Sequence, residues 1–485
     1  MRYDVCIIGG GVIGCAVARE LSRYKLNVCL LERGKDVSVG ASKANSGIVH
    51  GGYTAQHGTL KGELSIEGNR RFDRLSGELG FPFRRNGSLV LAFSSEEEKA
   101  LEGLIENGRK NGVEGLELID RPRLEELEPE VGPDAVSALH CRETGIVSPY
   151  EYCIALAENA VLNGLDLKLN TEVTGIEKRE GFFEIEAADL QSGGAPAKGT
   201  KSSTSGQIVH CSYVVNAAGV YADKVAALAG DRSITIHPRR GEYLIFQRGT
   251  GSMARHVVFQ APSERGKGVL VTSTTWGNLM VGPNSEEIPD RDDTSTNEEI
   301  IRYIVSSARR SIPRFDIHKV IRSFSGIRAT EKRKDFIVGP SEAVEGLVHA
   351  AGIDSPGLTA SPAIAERVSA YLEKLGLVLE DDPEFDPKRA SITAPAALRP
   401  FAEVKDKIEL PEGDPERIVC RCEQVSEKVI LDALNRGIPV SSLDGVKRRT
   451  RAGMGPCQGK FCSPRVRSLV AKESGIDPQE VSVVS

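Results

Sequence analysis

Apolar runs and helical stripes alternate along the first three-quarters of the chain, and the earliest are the most informative. Tyr3 to Ile8 is a short apolar run, followed directly by Gly9-Gly10-Gly11-Val12-Ile13-Gly14. Cys15 to Leu21 then carries apolar residues at helical spacing, and a second apolar run, Asn27 to Leu31, ends in Glu32. Strand, glycine turn, helix, strand, acid is the order that lays a dinucleotide pyrophosphate on a helix N-terminus. In that reading Gly9 makes the tight turn, Gly11 admits the phosphates, Gly14 lets helix and strand pack, and Glu32 accepts from a ribose.

Further along, Val39 to Tyr53 is rich in Gly, Ser and Asn and has neither period. Small residues suit it to run closely along a flat cofactor. The pattern predicts an amphipathic helix over 61–80, a strand at 89–93, helices over 95–111, 121–128 and 150–163, and an alternating pair at 165–169 and 171–176. Phe182 to Ala187 reads as a strand, and the polar stretch 189–206 as a flexible hairpin tip without function. Tyr213 to Asp223 is a buried-strand pattern ending in small residues. From His237 the strands look antiparallel (237–246, 257–259, 268–274, 278–282), with a helix at 297–310 and a strand at 320–324 broken by Ser325-Gly326. An apolar strand, 347–353, introduces a long helix over 360–375, a second helix N-terminus with glycine beside it. The binding fold is therefore discontinuous (1–82, 143–229 and 322–378), with a substrate layer from 83–142 and 230–321. Residues 379–416, proline-rich and charged, read as a linker, and 417–485 as a separate unit.

The composition narrows the class. A net charge of -6 gives no reason to invoke nucleic acid, and no apolar run reaches the ~18–20 residues of a membrane span. Met1-Arg2-Tyr3-Asp4 leads straight into a strand, so a cytosolic location is expected, with peripheral docking at the inner membrane face left open. Six cysteines are scattered singly and read as small apolar residues. The other four are paired: Cys420-Arg421-Cys422 and Cys457-Gln458-Gly459-Lys460-Phe461-Cys462. Two close thiolate pairs point to a metal centre. Zinc prefers Cys-x-x-Cys knuckles. The Cys-x-Cys and glycine-rich Cys-x4-Cys pairs instead resemble the bacterioferritin-associated ferredoxin-like domain, which implies a 2Fe–2S cluster on Cys420, Cys422, Cys457 and Cys462. Structural zinc and disulfides stay open as alternatives.

Residues 1–375 resemble the FAD-dependent D-amino-acid oxidase superfamily, nearest its branch of glycerol-3-phosphate and L-2-hydroxyglutarate dehydrogenases. The stretches that carry this are GGGVIGCA, SKANSGIVHGGY, VVNAAGVYAD, HPRRGEY, SFSGIRA and HAAGIDSPGLTASPAIAE. With the cysteine unit, the architecture is similar to the catalytic subunit of anaerobic glycerol-3-phosphate dehydrogenases. The resemblance implies an α/β fold: a Rossmann-like FAD-binding domain, an interleaved antiparallel substrate domain, and a small helical iron–sulfur domain. It implies FAD contacts at Gly9, Gly11, Val12, Ile13, Gly14, Glu32, Arg33, Ser42, Asn45, Ser46 and Gly47. Others fall at Val173, Ala218, Gly219, Gly326, Gly352, Gly357, Leu358 and Thr359.

Oxidising a secondary alcohol needs a hydride acceptor, a base and, for an anionic substrate, cations. His50, beside the flavin segment, is the candidate base, and Arg328 the candidate anion holder or alcohol polariser. Tyr53, Arg240 and Tyr243 are candidate substrate contacts. The expected function is oxidation of sn-glycerol 3-phosphate to dihydroxyacetone phosphate, with electrons leaving through the cluster to a partner subunit. L-2-hydroxyglutarate or an amine is the alternative substrate. A redox-sensing or electron-carrying subunit is the alternative of another class.

Overall fold

The computed structural model describes residues 2–190, 206–262, 268–392 and 397–484. The expected hairpin tip lies almost wholly outside them. Its flanks, Phe182–Asp189 and Gly206–Asn216, pair antiparallel.

The first sheet runs Thr171–Arg179, Phe182–Asp189, Gly206–Asn216, Arg2–Ile8, Val28–Leu31, Asp166–Lys168, with Leu347–Ala351 also parallel to Gly206–Asn216. The Val5–Ile8 part of the Arg2–Ile8 strand is continuously apolar because both of its faces are covered. Val5 and Ile7 pack with the Val12–Leu21 and Gly357–Lys374 helices, while Cys6 and Ile8 pack with Phe183 and Ile185. Each such side chain contributes about 1.5–3 kcal/mol by burial.

The second sheet has nine strands, with His237–Arg248 near one edge and Val320–Thr330 paired along it. One face carries Leu244 and Phe246 against Ile304 and Ala308 of the Glu298–Ser311 helix. The layer is mixed rather than purely antiparallel, since Val257–Gln260 runs parallel to Ser88–Ala92.

Several local expectations change. The helix read over 61–80 is two, Leu60–Asn69 and Phe72–Leu79. The 165–169 and 171–176 segments do not pair with each other. Asn170, at φ 53°, turns the chain so that one joins Val28–Leu31 and the other joins Phe182–Asp189. The Val320–Thr330 strand continues through Ser325-Gly326 and belongs to the second sheet, not the binding fold. Gly326 is there for close approach: a Cβ would sit 1.9 Å from the carbonyl oxygen of Ala44 in the small-residue loop.

The segment read as a linker is also more structured. Asn159 and Asn163 donate to the Asp386 carbonyl and Arg389 donates to Glu158 at 2.6 Å, strapping it to the Pro149–Leu162 helix. Farther on it forms the Phe401–Ile408 helix, whose Val404 and Ile408 pack on Ile418. No helix among the described residues is long and apolar enough to cross a membrane.

Candidate active site and cluster domain

A cavity of about 1570 Å³ lies between the two sheets and reaches under the C-terminal unit. Its first wall is the glycine turn. Gly9, Gly11, Val12 and Ile13 line it, whereas Gly14 does not. A Cβ on Gly14 would fall 1.9 Å from the Gly9 carbonyl oxygen, so this glycine sets the strand–helix spacing. Glu32 lines the cavity and its carboxylate accepts from the amides of Gly10 (2.6 Å) and Gly34 (2.7 Å). Burial pushes this carboxyl above the ordinary range, and the Gly34 and Gly10 amides only partly offset that. Arg33 stacks 4.0 Å over the Tyr221 ring. Val173, Ala218 and Gly219 complete that end. The Ser42 hydroxyl accepts from the Val12 amide at 2.8 Å, at the N-terminus of the Val12–Leu21 helix.

The small-residue loop forms the floor. Asn45, Ser46, Gly47 and His50 line the cavity, as do Gly326, Gly357 and Leu358. Gly352 and Thr359 do not reach it. Thr359 is fully buried and acts as a clamp, accepting from the His50 amide at 2.9 Å and donating to the Ile48 carbonyl at 3.2 Å. The His50 ring stacks near Phe259, with its Nε2 3.4 Å from the Ser355 hydroxyl.

At the other end the strand period decides which side chains face inward. Arg239, Tyr243 and Ile245 of His237–Arg248 line the cavity. Arg240 points the opposite way and is held by Asp293 (2.5 Å), Ser295 and Glu286. Arg240 is therefore structural, and Arg239 is the cavity arginine that sequence reasoning missed. Two-residue alternation carried the signal: Arg240 and Tyr243 cannot share a face, whereas Arg239 and Tyr243 must. Tyr243 stacks on Phe324 with ring centroids 4.8 Å apart, and its hydroxyl lies 3.4 Å from that of Ser46.

Arg239 sits directly opposite Arg328 in the pairing with Val320–Thr330. Arg328 lies over Gly241 and, among the described residues, hydrogen-bonds the Asn284 carbonyl and Ser285, each at 3.4 Å. The Arg239 Nε is buried without a hydrogen-bond partner. Neither guanidinium meets a carboxylate within 4.0 Å among the described residues. Directly opposed like charges are unfavourable in a sheet, and an anion between them would relieve that repulsion.

Tyr53 is not part of this wall. It is 3% exposed, its hydroxyl lies 3.1 Å from that of Ser88, and it packs with Ile66 and Val90. Tyr53→Phe should leave KM unchanged and cost about 0.5–1.5 kcal/mol of stability, measured by denaturant unfolding. A raised KM would return Tyr53 to the substrate site.

The C-terminal unit closes the mouth, with Asp444, Lys447, Arg448, Arg451, Met454 and Gln458 reaching the cavity. The basic run is a dock. Arg449, fully buried, grips Asp36 through two bonds of 2.6 and 2.9 Å, and Arg448 adds a third at 2.7 Å. Asp36 lies on the loop between Glu32 and Ser42 and is itself 1% exposed. Burial alone would raise its carboxyl, but Arg449 and Arg448 outweigh that and hold it below the ordinary range. Arg451 donates to Glu423 at 2.8 Å and stands 5.0 Å over the Trp276 ring.

Within this unit the cysteines approach in two pairs, one member from each motif. Cys422 Sγ lies 3.5 Å from Cys457 Sγ, and Cys462 Sγ faces the Gly459 carbonyl oxygen at 4.0 Å. The neighbouring Cys462 thiol and the Gly453 and Glu423 amides hold the Cys420 thiol below the ordinary cysteine range against the pull of burial. Gly455 passes so close that a Cβ would lie 2.2 Å from that of Cys422. Four free cysteines gathered by a glycine loop fit an iron–sulfur cluster.

Comparison with known proteins agrees with this geometry. The FAD dependent oxidoreductase family matches residues 4–371. The chain belongs to that family. The BFD-like [2Fe-2S] binding domain matches residues 418–472. Among similar proteins, a glycerol 3-phosphate dehydrogenase of Caloramator mitchellensis is 41% identical over 479 residues, 99% of this chain and 96% of its own. A mitochondrial L-2-hydroxyglutarate dehydrogenase of Nematostella vectensis is 31% identical, covering 59% of this chain and 62% of its own. The structure of a Mycoplasma pneumoniae L-alpha-glycerophosphate oxidase with FAD bound has a TM-score of 0.73 and 30% identity, covering 80% of this chain and 98% of that one.

As a member of this family the chain is an FAD-dependent oxidoreductase, and the expected α/β fold with its small C-terminal 2Fe–2S domain stands. The cavity fits FAD on its own chemistry. The glycine turn and the Val12–Leu21 helix N-terminus suit the pyrophosphate, and the Glu32 carboxylate suits a ribose. Ser325, Thr275 and Thr330, all on the cavity, each keep a buried hydroxyl without a hydrogen-bond partner.

Proposed function

We propose that the chain oxidises sn-glycerol 3-phosphate at carbon 2 to dihydroxyacetone phosphate. The opposed Arg239 and Arg328 carry this reading, because two guanidinium forks without a carboxylate suit a phosphate dianion. The full-length likeness to a glycerol 3-phosphate dehydrogenase supports the same substrate.

FAD supplies the two-electron acceptor, and the 2Fe–2S cluster a one-electron exit. The chain's own residues do the rest. Arg239 and Arg328 hold the phosphate and so fix the carbon-2 face presented to the small-residue floor. Tyr243, stacked on Phe324, limits how deeply the substrate enters. The His50 imidazole takes the hydroxyl proton, its backbone pinned by Thr359 and its ring oriented by Ser355 and Phe259. The substrate gives up two electrons and two protons, and the C-terminal unit over the mouth keeps bulk water from the reacting carbon. In this reading the enzyme works in the cytosol or at the inner membrane face and delivers electrons to a partner subunit.

Anaerobic glycerol 3-phosphate should bleach the flavin absorbance, and Arg239→Ala or Arg328→Ala should raise the concentration needed by about 10–100-fold. L-2-hydroxyglutarate, also a small dianion, is the second substrate to try, on the strength of the dehydrogenase relative that carries that name. Bleaching by it alone would replace the first substrate, and bleaching by neither would leave an electron carrier.

A further inference from the structure

We propose that the outer face of the cluster domain docks an acidic one-electron carrier protein. The inference rests on the dehydrogenase reading. The cysteine loops present two faces. Met454 and Gln458 point to the cavity, whereas Arg421, Pro456, Lys460 and Phe461 are exposed and none of them lines it. Cys420 and Cys462 are buried, and Cys422 and Cys457 are only half-buried, so the cluster site lies close beneath a surface.

That surface is apolar and cationic together. Phe461, beside Cys462, is 70% exposed. Gln424, two residues after Cys422, exchanges hydrogen bonds of 2.9 and 2.6 Å with the backbone of Arg399. This pins a second exposed segment beside the Cys420–Cys422 motif, with Phe401 61% and Leu398 40% exposed. Arg399, Arg421 and Lys460 form no ion pair among the described residues. On a chain of net charge -6 such a patch stands out. Its complement is an acidic rim around an apolar centre.

An anionic membrane also attracts cations and aromatics, but three cations hold a surface only weakly. The adjacent Phe401–Ile408 helix turns Val404 and Ile408 inward. Electron-transfer encounters, by contrast, are small and transient and gain mostly in association rate from charge. Each encounter passes one electron from the reduced cluster to the oxidised centre of the carrier. Two encounters therefore clear the two electrons of one substrate, and its two protons go to solvent.

The test uses the full-length holoenzyme, reduced by light rather than by substrate so that the outcome does not depend on the substrate assignment. Reoxidation is followed with an acidic 2Fe–2S ferredoxin and, separately, with uncharged benzoquinone. The ferredoxin rate constant should fall about tenfold or more between low and high salt. It should fall at least as far in R421E/K460E and in R399E/F401S, the second pair lying away from the cysteines. Benzoquinone rates and iron content should stay at wild-type levels. Salt-independent ferredoxin rates, or equal losses with both acceptors, would overturn the proposal. So would pelleting with anionic lipid vesicles that the charge reversals abolish, which would assign the face to a membrane. If light-reduced enzyme behaves as expected but glycerol 3-phosphate does not bleach the flavin, the docking face stands and the substrate assignment falls.

Discussion

Exchanging His50 for Asn should lower kcat for glycerol 3-phosphate by about 10²–10⁴-fold, the usual contribution of a positioned general base. Asn keeps a polar group facing Ser355 but cannot take up a proton. KM should move little, because Arg239 and Arg328, not His50, hold the anion. Stopped-flow bleaching at saturating substrate reads the effect directly. Wild-type bleaching in the variant would remove His50 from the chemistry and leave it as a ring that only shapes the floor.

The second large effect lies at Asp36. Asp36→Asn leaves Arg448 the Asp444 carboxylate at 3.2 Å and Arg449 that of Glu158 at 3.5 Å, but breaking the shorter buried pairs to Asp36 from one side still costs up to about 3–5 kcal/mol. The glycine turn, the Val12–Leu21 helix and both sheets do not depend on that contact, so substrate should still bleach the flavin. Reduction of the cluster should then lag behind bleaching, seen as slow growth of its electron paramagnetic resonance signal. Unchanged timing of both events would show that the clamp does not set the distance between the two centres. The same contact gives a pH effect. The Asp36 carboxyl is held below its unfolded value by Arg449 and Arg448 despite burial. Its stabilisation is therefore complete above about pH 4 and is lost as the pH falls through the lowered value.

How much of this was legible depends on the distance over which each signal acts. The glycine turn, its helix and Glu32 were readable because their geometry is set within thirty-odd residues. The four cysteines were readable as a metal centre because they fall in two close pairs, and the resemblance of those pairs to a ferredoxin-like domain pointed to the cluster type. Arg239 was within reach and was missed by one position, since strand alternation was not applied to HPRRGEY. Tyr53 illustrates the opposite failure: it follows a cavity loop, yet its ring turns back into a core made with residues of the Ser88–Ala92 strand. Gly326 looked like a strand break because nothing local shows that Ala44 passes over it. The basic run 447–451 had no visible partner, because its carboxylate stands at the other end of the chain.

That separation bears on how the protein is made. Asp36 and its two arginines are 412 and 413 residues apart. A ribosome delivers Asp36 412 residues before the first of the arginines, so through that interval the Asp36 carboxylate lacks both guanidinium partners. Both sheets can close in that interval, but the cofactor loop is locked only when the Leu443–Thr450 helix emerges. A message cut short before that helix would yield a nascent chain with folded sheets and an unfastened cofactor loop, open to proteases at the one place the finished enzyme keeps shut.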